Sequence, residues 1–208
     1  MRLANYLSSI LISLMGICRI GFNSLHMKRK MFLSFLTALP VLKLFGSIKV
    51  PFLSGVCRTQ RDQEGPFYKD GAPKKSVIET DGKLLTIQGR IFSAKDCSSP
   101  VANAVVDVWH CDKNGDYDNE GYKCRGTVIA DSKGNYSFTT IYPPAYGSRP
   151  RHIHFKVRAK GFPELTSQIY FQGDPRINND FARNAESGRV LDLIDKKEFL
   201  DARFNIYI

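Results

Sequence analysis

The stretch GRIFSAKDCSSPVANAVVDVW, residues 89–109, contains two short runs of β-branched and aromatic residues on either side of a turn-forming segment. In its second run, apolar Val and Trp side chains lie around Asp107 in the period-two pattern of a strand. Similar runs follow at short intervals, separated by turns rich in Gly, Pro and Asn. The sequence therefore predicts an all-β fold, a β-sandwich of mostly antiparallel strands. The predicted strands are residues 83–92, 102–110, 126–130, 135–142, 152–159 and 165–171.

The rest of the chain adds little regular structure to this prediction. Residues 178–186 form the one stretch beyond residue 61 with a helical pattern, and residues 198–208 are expected to form a last strand. A chain of 208 residues with 43% hydrophobic content is long enough for one well-cored domain and too short for two large ones. We therefore expect one domain over residues 57–208, preceded by a disordered or helical leader over residues 1–56.

The positive charge of the chain is concentrated in this leader. The net charge is +10, and residues 1–61 contain nine Lys and Arg but no acidic residue. Subtracting these nine from the total of 30 leaves 21 basic residues against 20 acidic ones from Asp62 onward. The predicted domain is therefore nearly neutral and has no basic stripe of the kind that binds nucleic acid. We expect no nucleic-acid partner.

The leader has the pattern of an export signal. Lys28, Arg29 and Lys30 precede an apolar run over residues 31–42, as a positive region precedes the apolar region of a signal peptide. An earlier apolar run, residues 3–25, is interrupted by Arg19 and is either a further membrane-seeking segment or an extension upstream of the true start. A single membrane anchor is the alternative interpretation. Both predict an extracytoplasmic protein, and the second predicts contact of the leader with a membrane.

Cysteine usage agrees with an oxidising compartment. Cys18 would be lost with the leader, which leaves Cys57, Cys97, Cys111 and Cys124. This even number is compatible with two disulfides, and the sequence does not choose among the three pairings. A metal site built on these cysteines is disfavoured because no CxxC spacing occurs.

The segment IYPPAYGSRPRHIHFKV, residues 141–157, has the densest chemistry in the chain. His152 and His154 are separated by one residue, so on a strand both imidazoles point to the same face and form half of a metal site. A Pro-Pro pair and a following Gly build a tight loop that presents Tyr146, and Tyr117 follows a predicted turn. Taken alone, an HxH pair is more often a half-buried strand surface. A copper or zinc protein that used these histidines would leave both tyrosines unused.

Four sequence elements together carry a family resemblance. They are QEGPFY (63–68), DVWHCDKNGDY (107–117), YPPAYGSRPRHIHF (142–155) and LTSQIYFQGD (165–174). In this order and at this spacing, the chain resembles the intradiol ring-cleavage dioxygenases, which include catechol, protocatechuate and hydroxyquinol dioxygenases. The resemblance covers roughly residues 60–180.

The resemblance implies a mononuclear non-haem ferric site with two tyrosinate and two histidine ligands. By motif position, these ligands are Tyr117, Tyr146, His152 and His154. The implied enzyme uses O2 to cleave a catechol-type diol between its two hydroxyl-bearing carbons, giving a muconate-type diacid. Phenolate ligands suit this metal because a bound cation favours the anionic form of a tyrosine, whose pKa is otherwise about 10.

The resemblance also implies roles around the metal. Tyr146 matches the ligand that the substrate displaces and that takes up a substrate proton, while Arg149 and Gln168 match positions that stabilise charge developing on the substrate. Tyr68 is expected to line the pocket. Arg151 stands where catechol-type enzymes commonly have a small residue, although strand alternation points it away from the histidines. The identity of the catechol and the oligomeric state stay open, a homo-oligomer included.

An exported binding or structural module is the best rival to the enzyme. Residues 89–138 also resemble the prealbumin-like sandwich repeats of surface proteins, which bind no metal. Such a module would explain the strand pattern equally well. It would not explain Tyr146 together with the RPRHIHF segment, so the dioxygenase interpretation is preferred.

Overall fold

The computed structural model describes residues 57–208, so the signal, anchor and leader structure predicted for residues 1–56 lie outside the described residues. Within the described range, no helix is long and apolar enough to cross a membrane. The regular structure consists of strands and three short 3-10 helices, at Ile177–Asn179, Phe181–Asn184 and Ser187–Arg189. The strands are β1 (Leu84–Phe92), β2 (Val105–Trp109), β3 (Arg125–Ile129), β4 (Asn135–Ile141), β5 (His152–Arg158), β6 (Leu165–Phe171), β7 (Val190–Leu191), β8 (Ile194–Asp195), β9 (Phe199–Arg203) and β10 (Ile206–Tyr207).

The first sheet is built around β1. Strand β4 pairs antiparallel with β1 along one side, and β9 followed by β10 pairs parallel with it along the other. Side chains alternate along β1, because Leu85, Ile87 and Ile91 point into the core while Thr86 and Gln88 are partly exposed on the outer face. This alternation is the pattern from which the strand was predicted.

The second sheet has the order β3-β2-β5-β6-β7. Its central strands β5 and β6 are buried on both faces, unlike the one-sided burial of β1. One face packs against the first sheet. Residues 62–75, here termed the covering segment, cross the other face: Asp62 N–H donates to the Thr166 carbonyl at 3.0 Å, and Thr127 N–H of β3 donates to the Pro73 carbonyl at 3.0 Å. The space between this segment and the sheet holds the site described below.

The predicted all-β sandwich is confirmed, with three adjustments. Most strand pairs are antiparallel, but β1–β9, β1–β10 and β6–β7 are parallel. Residues 178–186 form 3-10 turns, and the helix predicted there is wrong because the segment has no apolar stripe that could bury a longer helix. The last strand is divided into β9 and β10 where the Phe204 carbonyl approaches Gly89. A Cβ at Gly89 would lie 1.8 Å from that carbonyl oxygen, so only glycine fits.

Only one of the two expected disulfides is present among the described cysteines. Cys57 and Cys97 are bonded, which ties the start of the described chain to the β1–β2 turn. Cys111 and Cys124 are free and buried. Their thiols point to different acceptors, the Pro144 carbonyl and the Glu79 carboxylate, so the second predicted disulfide is absent.

Candidate active site

His152 and His154 lie on β5 and project from its outer face towards the covering segment. Both side chains are 2% exposed, and their ring centroids are 4.9 Å apart. His152 Nδ1 is 2.7 Å from the Pro150 carbonyl oxygen, which can only accept a hydrogen bond. The proton of a neutral His152 therefore resides on Nδ1, and Nε2 carries the lone pair that can accept a hydrogen bond or bind a cation.

The ring of His154 lies between Trp109 and Gly65. It stacks on the Trp109 indole with a centroid distance of 5.0 Å and an interplanar angle of 10°. A Cβ on Gly65 would lie 3.4 Å from His154 Cε1, and the φ of +73° at Gly65 further favours glycine there. His154 Nδ1 and Trp109 Nε1 are buried without a hydrogen bond of ordinary geometry among the described residues, although the Gln63 backbone lies close enough to His154 to influence its pKa.

Two tyrosines approach the histidines from separate loops. The Tyr117 hydroxyl is 3.3 Å from His152 Nε2. Tyr117 follows a turn in which the Asp112 side chain accepts hydrogen bonds from two backbone amides. Tyr146 lies in the β4–β5 loop, and its ring meets that of Tyr117 edge-on at 5.3 Å. Phe67 of the covering segment stacks on Tyr117 at 4.2 Å and contacts Tyr146 edge-on at 5.6 Å. Both tyrosine rings are thus held against one aromatic wall.

These side chains enclose a cavity of about 230 Å³. All six residues predicted from the sequence to hold the metal or act on the substrate line it, although they come from three separate parts of the chain. The covering segment supplies the rest of the wall. The lining residues are Gln63, Gly65, Pro66, Phe67, Tyr117, Tyr146, Arg149, His152, His154 and Gln168.

Burial sets the protonation states in the cavity. Desolvation, with a smaller contribution from Arg149, lowers the pKa of His152 to about 4. Desolvation and the neighbouring His152 lower the pKa of His154 well below its ordinary value. Burial also raises the pKa of Tyr117, with a further contribution from Cys111. At neutral pH the site therefore contains two neutral imidazoles and a neutral Tyr117 phenol in a desolvated space.

This donor set fits a hard, highly charged cation. Within residues 57–208, no cluster of three or more His, Cys, Asp and Glu side chains is arranged to hold a metal, so a metal here would require the tyrosines. Neutral imidazoles offer lone pairs, and a bound cation would reverse the effect of burial on the pKa of Tyr117. Phenolate oxygens are hard ligands, and two of them offset much of the charge of a trivalent ion.

Arg149 and Gln168 lie beside the histidines and contact each other. Arg149 Nη2 donates to Gln168 Oε1 at 3.0 Å, and Arg149 Nη1 is 3.4 Å from His152 Nε2. Gln168 faces His154 across the β5–β6 pair, and its amide nitrogen donates to the Gln63 carbonyl at 2.7 Å. The arginine thus borders the cavity on the His152 side, while the glutamine links β6 to the covering segment.

Comparison with known proteins gives a consistent family. A family model described as a dioxygenase matches residues 62–207. Catechol 1,2-dioxygenase 2 of Acinetobacter lwoffii is 35% identical over 161 residues, which is 64% of this chain and 58% of that protein. The chain belongs to the intradiol ring-cleavage dioxygenase family. It spans little more than half the length of the curated relatives that it matches.

Solved structures of the family superimpose on the described fold. The dioxygenase domain of a dioxygenase and carbohydrate-binding protein fusion from Streptomyces sp. SirexAA-E has a TM-score of 0.67 and 30% identity, and the match covers 73% of this chain and 97% of that one. Catechol 1,2-dioxygenase from Pseudomonas arvilla C-1 has a TM-score of 0.63 and 29% identity, covering 72% of this chain and 61% of that one. Membership of this family also explains why His and Tyr side chains line the cavity, whereas a prealbumin-like module would leave these side chains unexplained.

Sequence reasoning selected the wrong aromatic residue from the QEGPFY element. Phe67 lines the cavity, whereas Tyr68 lies beside the cavity over the same sheet face, where its ring contacts that of Trp109 with a centroid distance of 4.8 Å. The Tyr68 hydroxyl donates to Asp107 at 3.0 Å and accepts from Arg158 at 3.0 Å. Pro66 and Phe67 form a turn, and the sequence does not show which of the two neighbouring aromatic rings faces the cavity.

Arg151 and a set of polar residues complete the surroundings of this dioxygenase-family cavity. As alternation predicted, Arg151 points away from the histidines, and it pairs with Asp174 at 3.2 Å. Asp180, Tyr170 and Asp62 were not predicted to contribute to the site. The Tyr170 hydroxyl is 3.0 Å from Gln168 Oε1 and 3.1 Å from Asp62 Oδ2, either of which can accept its one proton, while Asp180 pairs with Arg149.

Proposed function

We propose that this chain is a ferric-iron-dependent intradiol dioxygenase that cleaves a catechol-type diol between its hydroxyl-bearing carbons. The products would be muconate-type diacids that retain both atoms of O2. One observation carries the proposal: two imidazoles and two phenols converge on a single desolvated cavity within a chain of this family. Relatives named catechol 1,2-dioxygenase and chlorocatechol 1,2-dioxygenase support this substrate class.

Four residues would hold the metal, namely Tyr117, Tyr146, His152 and His154. When bound, a ferric ion would draw both diol oxygens of the substrate to itself and make the ring reactive towards O2. Because burial lowers the pKa of both histidines, their imidazoles are neutral at physiological pH and can bind such an ion. The hydrogen bond from His152 Nδ1 to Pro150 fixes the direction of the other nitrogen, so the ligand needs no reorientation.

Tyr146 and Arg149 would act on the substrate itself. Tyr146 is held by its loop rather than by a strand, and the Arg149 N–H donates to its carbonyl at 2.8 Å. A phenolate in this position can take up a proton from a diol hydroxyl, which frees a place for the substrate oxygen. The Arg149 guanidinium lies beside the same space, where it can stabilise negative charge that develops on the ring.

The cavity favours a single aromatic ring. Its volume of about 230 Å³ is below the ~300–1,000 Å³ that is typical of sites for drug-sized ligands. Phe67 and Pro66 provide an apolar wall opposite the histidines, which would exclude water from the ring face. Arg149, the charged side chain in the cavity wall, is paired with Asp180.

The test is iron binding, colour and oxygen uptake by the full chain. Tyrosinate-to-iron charge transfer should give a red to brown protein with one iron per chain, and oxygen uptake should depend on an added catechol. Tyr117→Phe should lose much of the visible absorption while retaining the fold. A colourless wild-type protein without stoichiometric iron would contradict the proposal.

We further propose that the domain works outside the cytoplasm. The Cys57–Cys97 disulfide supports this location, because disulfides persist in oxidising compartments, and so does the export pattern of the leader sequence. Cell fractionation, combined with thiol alkylation before and after reduction, tests it. Recovery of the protein in the cytosol with reduced Cys57 and Cys97 would argue against export.

A further inference from the structure

The guanidinium of Arg149 is held from the side opposite the cavity by one carboxylate. Arg149 Nε donates to Asp180 Oδ2 at 2.9 Å, and Nη2 is 3.5 Å from Asp180 Oδ1. The Asp180 side chain is 7% exposed and that of Arg149 is 20% exposed, so water screens this pair only weakly. Asp180 lies between the first two 3-10 helices, in a segment separate from β5, which carries the histidines.

The position of Arg149 creates an electrostatic problem for a metal site. Its Nη1 is 3.4 Å from His152 Nε2, the nitrogen that would ligate the cation. An uncompensated guanidinium at this distance would repel a bound cation and would compete with it for the imidazole lone pair. A negative charge on the far side of the guanidinium reduces the repulsion and draws the arginine towards itself.

Asp180 is itself fixed in place. Its Oδ1 accepts a hydrogen bond from Ala182 N–H at 3.0 Å, as an N-cap does at the start of the second 3-10 helix. Two other contacts of Arg149, to Gln168 Oε1 and the Tyr170 hydroxyl, are with neutral acceptors at 3.0 and 3.3 Å. Asp180 is therefore a carboxylate that offsets the charge of the guanidinium and orients it.

We propose that Asp180 is a positioning residue for the active site, which sets the orientation of Arg149 and makes that cation compatible with a metal on His152. The inference rests on the proposed iron site. It assigns a catalytic support role to the 3-10 segment, which contributes no residue to the cavity wall.

The test compares Asp180→Asn with the wild type. Asparagine keeps the shape and the acceptor for Ala182 but removes the charge. We expect iron affinity, measured by chelator competition, to fall roughly 10- to 100-fold, as for other groups that support metal ligands. The tyrosinate-to-iron band should shift, and kcat for a catechol should fall more than KM changes. Asp180→Glu, which restores the charge, should lie closer to the wild type.

Asp174→Asn is the matched control. Asp174 is a buried carboxylate next to the same segment, but its partner Arg151 points away from the cavity. This variant should keep the wild-type iron affinity and band. An equal loss in both variants would overturn the proposal, because the effect would then be a general consequence of removing a buried charge.

A double variant tests whether Asp180 acts through Arg149. In an Arg149→Lys background, Asp180→Asn should have little additional effect on the band and on kcat. The proposal is overturned if the effects of Arg149→Lys and Asp180→Asn on the band and on kcat are fully additive. It is also overturned if Asp180→Asn behaves like the wild type, or if both Asp180→Asn and Asp180→Ser fail to fold. A wild-type protein that binds no iron contradicts the proposed function instead, so the two failures are distinguishable.

Discussion

The two faces of β5 are equally buried but bury different chemistry. Ile153, Phe155 and Val157 point into the core between the sheets and are 0–1% exposed. The alternate residues His152 and His154 point under the covering segment and are 2% exposed. An apolar face gains free energy from burial directly, whereas a polar face is costly to bury unless its groups are hydrogen-bonded or bound to a ligand.

Most polar groups on the outer face of the second sheet are hydrogen-bonded or ion-paired, and the few exceptions lie next to the cavity. Asp107 accepts from Tyr68, Thr127 and Arg158, and Lys156 pairs with Glu64 at 2.5 Å. Among the described residues, His154 Nδ1 and Trp109 Nε1 remain without a hydrogen bond of ordinary geometry. The core face maintains the fold, while the outer face buries polar groups that line or border the proposed metal site.

The largest expected effect comes from the outer face. His154→Ala removes one ligand and opens the stack on Trp109, so iron affinity should fall by more than the ~10- to 100-fold that loss of a supporting group costs. The visible band and catechol-dependent oxygen uptake should be lost. Thermal unfolding of the metal-free protein should change little by comparison. Wild-type iron content would show that His154 is not a ligand.

The neighbouring residue on the core face should behave in the opposite way. Ile153→Ala deletes a fully buried side chain and should reduce the free energy of unfolding by about 2–5 kcal/mol. Folded molecules should still bind iron with the same absorption band. Urea denaturation of the metal-free protein measures the first effect, and Ile153→Val should show a smaller loss. A shifted band in Ile153→Ala would mean that the two faces are not independent.

His110 provides a third test because it is buried outside the cavity wall. Its ring nitrogens are 2.7 Å from the Cys111 carbonyl and from Thr140 Oγ1, and burial lowers its pKa from 6.5 to about 4. Protons therefore bind the unfolded chain more readily than the folded one. The stabilising effect is complete above pH 6.5 and declines as the pH falls from 6.5 towards 4.

For His110 alone, lowering the pH from 8 to 5 should cost about 2 kcal/mol of the free energy of unfolding. The metal-free protein is the appropriate sample, because bound iron would hold the other histidines neutral. Urea denaturation of His110→Gln at the same two pH values should show a smaller difference than the wild type. Equal pH dependence in both proteins would show that His110 does not contribute.

Local strand patterns could be predicted from the sequence, whereas contacts between distant segments could not. Strand positions and the HxH geometry follow from period-two alternation, which is a local property. The Tyr117 and Tyr146 assignments needed the ordered family motifs. The Asp180–Arg149 and Asp62–Arg189 pairs could not be predicted, because they join separate segments and the second spans 127 positions. The packing of loops against each other, rather than a local pattern, creates these contacts.

The smallest effect is expected at Tyr68, whose neighbour Phe67 faces the cavity. Tyr68→Phe removes one hydrogen bond to Asp107 and one from Arg158, while Asp107 keeps its contact with Thr127. The free energy of unfolding should fall by about 1 kcal/mol, and the iron band should stay unchanged. Phe67→Ala is the matched comparison: it removes the stacking on Tyr117 and should raise the KM for catechol. If Tyr68→Phe altered the band as strongly as Phe67→Ala, a change at the Asp107 contact would have to reach the proposed metal site, and the separation of Tyr68 from the cavity would fail.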